Sequence, residues 1–495
     1  MDTLARKGYA ISPEQAIPKG TFGTLASKVL ETELSDGGRG MVRSYRSFVA
    51  VLAVMMGLAA CGTRVDKDAF YAQLAAQQQQ TGGEGVVPGT PEGSVPGSTA
   101  GPSAPGSRPT VLGTRTAASD GSRPAAPISS GIPSNVSTTV VGNEIVVGLH
   151  VPVTGAAPLP TNWDDSLEVV QRSINDNPIH GRTVRFIVED DGYDPARGLA
   201  ACRKLADSNV LLVIGHSMPT IQESCASFFH QRGIPYLMRG IPEAALDGHP
   251  IAYFGTPSDD HQARLLADYA IQNLGARSKI AGVVTENDQP VSKREFTARL
   301  QARGGKVAVV ENSSPRQSDF GPIIQKLQNA NAQIVFLNIA PVDAIKIAVQ
   351  SQSAGYHPTW IGEGTHWNYN LSMESAGAAL DGAVVFSPWP SIDSAAANEY
   401  KAAFRKYLPK AEPDDIGLII WGWGMLARQA LLDAGPQLSR ASLVGALNTF
   451  DFNVSYWNPV RYTATDHRGP RAVAVFRGDG QAKRWRQISG FRTSF

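Results

Sequence analysis

The sequence predicts an α/β protein made of two doubly wound parallel-sheet lobes, and three observations carry that reading. β-Branched runs such as Ile145-Val146-Val147-Gly148-Leu149 and Val210-Leu211-Leu212-Val213-Ile214-Gly215 suit strands buried on both faces. Helical patterns lie between such runs at the spacing of βαβ crossovers, which places helices over a parallel sheet. The rhythm is interrupted at Gly255-Thr256-Pro257-Ser258-Asp259 and restarts at Lys279-Ile280-Ala281-Gly282-Val283-Val284, so a second α/β lobe follows the first.

In chain order, the Ile145 run is the first strand. A helical pattern over 167–174 follows, then a second strand over 183–188. A helix over 196–207 carries Cys202, residues 210–215 form the third strand, and a helix over 220–231 carries Cys225. In the second lobe, strands are expected over 279–284, 307–310, 334–337 and 359–361. Ser387-Pro388-Trp389-Pro390, like the Gly255 segment, falls where the chain is expected to cross between lobes. Residues 421–432 read as a packed helix, and 460–462 and 473–476 as late strands joined through Asp466-His467-Arg468-Gly469.

What precedes the lobes has a different texture. Residues 61–142 are rich in Gln, Gly, Pro, Ser and Thr, including Gln77-Gln78-Gln79-Gln80 and Pro88-Gly89-Thr90-Pro91. Such a segment buries too little apolar surface to offset its conformational entropy, and it is expected to be a disordered tether. Upstream, Leu58-Ala59-Ala60-Cys61 closes an apolar stretch that follows Arg43 and Arg46. Basic, then apolar, then small residues ending on cysteine is the order of a lipoprotein export signal, expected over 41–60, with Cys61 the lipidated first residue of the mature chain. The stretch is too short to span a bilayer, so acyl chains alone would hold the protein at the membrane. Residues 1–40 lack export character and Met41 directly precedes the basic pair, so 1–40 reads as an N-terminal extension, with Met41 as the natural start.

Charge and cysteine use narrow the function. With 45 Lys plus Arg against 44 Asp plus Glu, no large basic field is available for phosphate backbones, and nucleic acid is not expected as a partner. Of three cysteines, Cys61 is assigned to lipid, leaving Cys202 and Cys225 as an even pair in an oxidising compartment. A disulfide is expected between them, worth roughly 3 kcal/mol in the chain-entropy model; two separate buried thiols are the alternative.

Candidate chemistry is sparse. Gly215-His216-Ser217-Met218-Pro219 follows a strand and precedes a helix, as a G-x-S-x-G nucleophile elbow would, but Pro219 replaces the glycine that lets the helix pack behind a strained serine. The alternative to a hydrolase is a polar, anion-tolerant strand end formed by Ser217, Thr220 and the following helix N-terminus. No G-x-G-x-x-G or Walker-type loop follows any predicted strand, so no nucleotide cofactor is expected. His357 and His366 lack metal-ligand spacing, and no metal is expected. Glu189-Asp190-Asp191 reads as a solvated strand end or helix cap. Trp163, Trp367 and Trp389 lie in turn-like sequence near predicted strand ends, where aromatic bodies serve either ligand contact or packing.

From Glu144 to the C-terminus the order of motifs resembles the leucine/isoleucine/valine-binding protein family, the type I solute-binding receptors of ABC transporters. The resemblance rests on Ile145-Val146-Val147-Gly148 with Thr154-Gly155, Glu189-Asp190-Asp191 with Asp194-Pro195, and Val213-Ile214-Gly215-His216. Gly233-Ile234-Pro235, Ser318-Asp319-Phe320 and Ile334-Val335-Phe336 continue it in order. The resemblance implies two lobes joined by a three-strand hinge, with a ligand cleft between them and capture without catalysis. Lobe 1 is expected over 143–257 plus 388–455, and lobe 2 over 258–387 plus 456–495.

Amino-acid binders of the family hold the carboxylate with hydroxyls after the Gly-His turn and the ammonium with an aromatic and an acid from the second lobe. Here Ser217, Met218 and Thr220 fall near the first positions, although Pro219 stands where a serine is expected. Arg239-Gly240-Ile241-Pro242 replaces a small-plus-threonine segment, Ala340 replaces the aromatic, and Glu363 falls beside the expected acid, near His366 and Trp367. Arg239 is expected to pair either with a ligand carboxylate or with an acid of the protein surface. The implied protein is a monomeric, extracytoplasmic lipoprotein at the cell surface or in the periplasm. It would hand an amino acid or related carboxylated or aromatic compound to ABC permease subunits. A sensory or scaffolding envelope lipoprotein on the same fold is the alternative.

Overall fold

In this computed structural model the described residues are 132–159, 163–364 and 366–495, so the predicted extension, export signal, Cys61 and most of the tether lie outside them. Lobe 1 begins with β1 (Glu144–Val151), α1 (Trp163–Asn175), β2 (Thr183–Asp190), α2 (Pro195–Asp207), β3 (Leu212–Gly215), α3 (Pro219–Gln231), β4 (Tyr236–Met238) and β5 (Ala252–Phe254). These strands pair in parallel in the order β2-β1-β3-β4-β5, a pairing that requires the intervening crossovers. The start of α2 is written locally: the Asp194 carboxylate accepts the Arg197 N–H, and Pro195 occupies the first turn, where its missing N–H costs nothing. Cys202 on α2 and Cys225 on α3 form the expected disulfide, with Cα atoms 6.0 Å apart and both side chains fully buried.

Lobe 2 follows with α4 (Asp259–Asn273), β6 (Ile280–Glu286), α5 (Pro290–Ala302), β7 (Lys306–Ser313), α6 (Gly321–Asn329), β8 (Ala332–Asn338), α7 (Pro341–Ser353), β9 (Thr359–Gly362), α8 (Asn370–Ala376) and β10 (Val384–Ser387). The chain then returns to lobe 1 for α9 (Asn398–Tyr407), α10 (Asp415–Asp433), α11 (Arg440–Leu447), β11 (Asp451–Phe452) and β12 (Val460–Arg461). It ends in lobe 2 with β13 (Ala474–Asp479) and β14 (Arg484–Gln487). The second sheet has seven strands in the order β14-β13-β10-β9-β8-β6-β7; β13 and β14 add an antiparallel edge to its parallel body.

Three crossings connect the sheets, after β5, after β10 and after β12, and they are laced together. The Phe254 N–H donates to the His467 carbonyl at 3.0 Å and the Tyr462 hydroxyl to the Phe254 carbonyl at 2.8 Å. The Trp457 indole donates to the Gly255 carbonyl at 3.0 Å, and the Asn458 N–H to the Pro388 carbonyl at 3.0 Å. The late segments expected as consecutive strands therefore belong to different sheets: β12 pairs with β11, and β13 with β10. The Asp466-His467-Arg468-Gly469 stretch is part of a crossing, held by buried His467 against the Ala252 carbonyl at 3.2 Å.

The fold also starts earlier than composition suggests. The Asn135 amide donates to the His230 and Gln231 carbonyls, Val136 is buried against Ile251 and Val444, and the Val141 N–H donates to the Leu438 carbonyl. The last residues of the predicted tether are thus docked on lobe 1, because two valines among polar neighbours find apolar partners there. No described helix is long and apolar enough to cross a membrane.

Candidate functional site

The C-terminal ends of both sets of parallel strands meet between the lobes, the position where open α/β sheets bind ligands. A cavity of about 80 Å³ lies there, lined by Pro152, Tyr193, His216, Ser217 and Arg239 from lobe 1 and by Ala340, Pro341, Ile345, His366 and Tyr369 from lobe 2.

The lobe 1 wall is built on close approach of backbone to a buried polar group. A Cβ at Gly215 would fall 2.0 Å from the Tyr236 hydroxyl oxygen and 2.3 Å from His150 Nε2, so only glycine fits. Beneath it, His150 bridges Tyr236 (2.6 Å) and Asp191 (3.1 Å), all buried. Asp191 is thus not the solvated strand end expected from its acidic run. Gln222 fixes the next layer: its amide donates to the Ser217 carbonyl at 3.1 Å and its oxygen accepts the Arg239 N–H at 3.0 Å. Ser217 Oγ and Thr220 Oγ1, at the start of α3, are buried with no hydrogen-bond partner among the described residues.

Arg239 pairs with an acid of the protein that is buried rather than at the surface. Its guanidinium holds Asp259 of α4 through Nη1 (2.7 Å) and Nη2 (3.3 Å), with Nε on the Ser217 carbonyl at 3.2 Å. The pair joins lobe 1 to the first helix of lobe 2, with side chains 4% and 0% exposed. Burial raises the Asp259 pKa and the guanidinium opposes the rise. Burial, reinforced by Arg239, draws the His216 pKa down to about 3 and His366 well below the ordinary histidine range, so both are neutral near pH 7.

Acids lie beside the lobe 2 wall, whose own lining is mainly apolar (Ala340, Pro341, Val342, Ile345). Glu286, at the end of β6, accepts the Ala340 N–H at 2.6 Å and the Tyr193 hydroxyl at 3.3 Å across the cleft. Burial, then the neighbouring Asp288 charge, pushes its pKa up to about 8. Asp288 is itself raised by burial and stabilised by Arg239, and its two carboxylate oxygens are buried with no partner from another residue among those described. Glu363, just beyond β9, is fully buried, accepts the Asn338 amide at 2.9 Å and has its pKa raised by burial and by Asp259.

Of the residues expected from sequence, Ser217, Arg239 and His366 meet in the cavity wall, with Thr220 beside Ser217 and Glu363 in the field of Arg239. Met218 precedes α3 and is buried in the lobe 1 core. Gly240 packs against the first crossing, its N–H on Thr256 Oγ1 at 2.8 Å. The tryptophans are packing residues. Trp367 is fully buried and donates to the Leu337 carbonyl at 3.3 Å, Trp389 lies stacked between Tyr369 and Trp457, and Trp163 packs half-buried on the lobe 1 core. None of the three lines the cleft cavity. Tyr193, Glu286, Asp288 and Tyr369 were not singled out from sequence; a carboxylate ending a buried strand, as in Thr285-Glu286-Asn287-Asp288, was the available signal for two of them.

Among the described residues, His150 with Cys202 and Cys225 is the grouping with metal-ligand proximity. Its sulfurs are bonded to each other and offer no thiolate. Ser217 Oγ has no base within hydrogen-bond reach among the described residues, so the adjacent base that an activated serine nucleophile requires is not provided there.

Two sheets meeting at their strand ends across a laced hinge, with a cavity between them, define a two-lobed solute-binding protein. The chain belongs to the periplasmic binding protein family, whose sequence pattern matches residues 144–483; this is a family of binding proteins, not enzymes. It is similar to Leu/Ile/Val-binding protein homolog 1 of Brucella abortus, 26% identical over 268 residues that cover 52% of this chain and 71% of the relative. The fold is shared with a fatty acid ABC transporter substrate-binding protein from Thermomonospora curvata (TM-score 0.65, 18% identity, 73% of this chain and 96% of that one). It is also shared with the branched-chain amino acid transporter substrate-binding protein LivJ from Streptococcus pneumoniae in complex with isoleucine (TM-score 0.61, 15% identity, 70% and 100%).

Proposed function

We propose that this protein is an extracytoplasmic lipoprotein, anchored through Cys61, that captures an amino acid or a closely related small molecule and delivers it to an ABC importer. One observation carries the ligand class. Ser217 Oγ and Thr220 Oγ1, without a partner among the described residues, stand at a helix N-terminus of lobe 1 next to Arg239, and the same guanidinium lies in the field of the lobe 2 acids Asp288 and Glu363. Hydroxyls at a helix N-terminus suit a carboxylate, and buried acids suit an ammonium group. Arg239 contributes its field from a fixed position, since its fork is committed to Asp259. The names of the relatives, which point to branched-chain amino acids and to a fatty acid, support a small ligand with a polar head and an apolar body.

A thermal-shift screen of amino acids, aromatic acids and alkanoates tests the ligand class. A ligand at a hundredfold its Kd stabilises the folded form by about 2.7 kcal/mol, and a flat response across the screen refutes the reading. The anchor is tested separately: Cys61→Ser releases the protein from the membrane fraction, and continued membrane retention refutes lipidation at that residue.

A further inference from the structure

The cleft is not the only empty space at this end of lobe 1. A second cavity of about 50 Å³ lies between the face of the first sheet and helices α1 and α10. Leu149, Phe186 and Ile214 line it from the strands, Leu167 from α1, and Ile419 and Trp423 from α10. It shares the walls Leu159, His216 and Tyr369 with the cleft cavity. Close-packed interiors hold few voids larger than a water molecule, and an apolar void stays dry yet accepts hydrocarbon.

The shared wall is suited to a junction between a polar head and an apolar tail. His216 is neutral, stands edge-on to Trp423 with ring centroids 6.2 Å apart, and keeps a buried Nδ1 without a hydrogen-bond partner among the described residues. A neutral imidazole here adds no charge to the apolar side and leaves one polar atom for the ligand on the cleft side.

We infer that this annex receives the unbranched hydrocarbon tail of an amphipathic ligand whose polar head occupies the cleft. The inference rests on the solute-binding reading above. It predicts selection for chain length rather than for branching, because a straight tail reaches past His216 and Tyr369 into lobe 1 whereas a branched one fills the cleft.

The test is calorimetric titration of the full mature chain with two homologous series, the straight-chain 2-amino acids from alanine to 2-aminooctanoate and the n-alkanoates of matching length. On whichever head group binds, affinity is expected to rise about fourfold per added methylene, as burial of a CH₂ group implies. Ile420→Trp and Leu167→Trp, both on half-buried wall residues, are expected to abolish that increment while retaining affinity for the shortest binder. Two variants are used so that a folding defect in one, read from its Tm, leaves the other informative. A series that binds with affinity independent of length, or a length dependence that survives both substitutions, overturns the annex and leaves the cleft reading standing. Failure of every member to bind overturns the annex, and the cleft reading falls with it only if the thermal-shift screen of amino acids, aromatic acids and alkanoates is flat as well.

Discussion

Lobe 1 is a purely parallel five-stranded sheet stapled by Cys202–Cys225, whereas lobe 2 is a seven-stranded sheet with an antiparallel edge. Their cleft faces differ as well. Lobe 1 presents neutral histidine and hydroxyl groups around one cation, whereas lobe 2 presents a mainly apolar lining with buried acids of raised pKa nearby. Neither face is electrostatically complete: the lobe 1 cation is neutralised by Asp259 of lobe 2, and Glu286 of lobe 2 takes its hydroxyl donor from Tyr193 of lobe 1. The division of charge makes lobe–lobe contact, rather than either lobe alone, the state in which buried ions are compensated.

The strongest way to break this division is to remove its central ion pair from one side. Arg239→Met leaves Asp259 buried without its counter-ion and is expected to lower stability by about 3–5 kcal/mol, whereas Arg239→Met with Asp259→Leu recovers most of the loss. Urea unfolding of both variants measures it; a single variant as mild as the double shows that the pair does not join the lobes energetically. The disulfide sharpens the contrast on the lobe 1 side. Cys202→Ala with Cys225→Ala is expected to cost about 2–4 kcal/mol. Amide exchange should quicken in α2 and α3 while β6, β8 and β9 keep their protection, and equal quickening in both lobes contradicts a lobe-specific staple.

Legibility differed between the lobes for physical reasons. β1, β6 and β8 were readable because each is a run of seven or eight residues with most side chains buried. β4 and β5 were not, because three residues such as Tyr236-Leu237-Met238 carry no period. In the cleft, Ser217 was legible as a residue just beyond the readable strand β3, whereas Arg239 was reached only through the family resemblance, since β4 before it carries no period. For the tryptophans, the turn-rich sequence around Trp367 and Trp389 left ligand contact and packing open, because it does not reveal that both indoles are buried. Cys202 and Cys225 were paired from compartment and count alone, before any geometry was available.

Titration offers the next test, because buried acids mark the inter-lobe face. Glu286 is raised to about 8 and Asp415, half-buried where its carboxylate accepts the Asn370 N–H of lobe 2, to about 7 by burial and by Asp414. Unfolded carboxyls titrate near pH ~4, so between that pH and about 8 for Glu286 and about 7 for Asp415 these two groups hold more protons in the native state than in the unfolded one. Their contribution to stability is therefore expected to fall as pH rises through this window, with the depressed His216 and His366 acting in the opposite sense below the ordinary histidine range. Glu286→Gln should flatten the upper part of the slope in urea midpoints, leaving the part due to Asp415; an unchanged profile removes Glu286 as its source.

The smallest expected effect separates the two cleft faces in binding rather than folding. Ser217 Oγ and Thr220 Oγ1 are unpartnered in the described structure, so Ser217→Ala and Thr220→Val break no existing bond and should leave Tm nearly unchanged. If these hydroxyls hold the ligand carboxylate, each substitution loses a hydrogen bond to a charged group, about 1.5–3 kcal/mol or roughly ten- to a hundredfold in Kd. Trp367→Phe is the matched control: it lies in the lobe 2 core and should lower Tm while leaving Kd alone. Calorimetry with the ligand found in the screen reads all three, and the reverse pattern, with Kd following Trp367 and not the hydroxyls, moves ligand recognition from the lobe 1 strand ends to the lobe 2 aromatics.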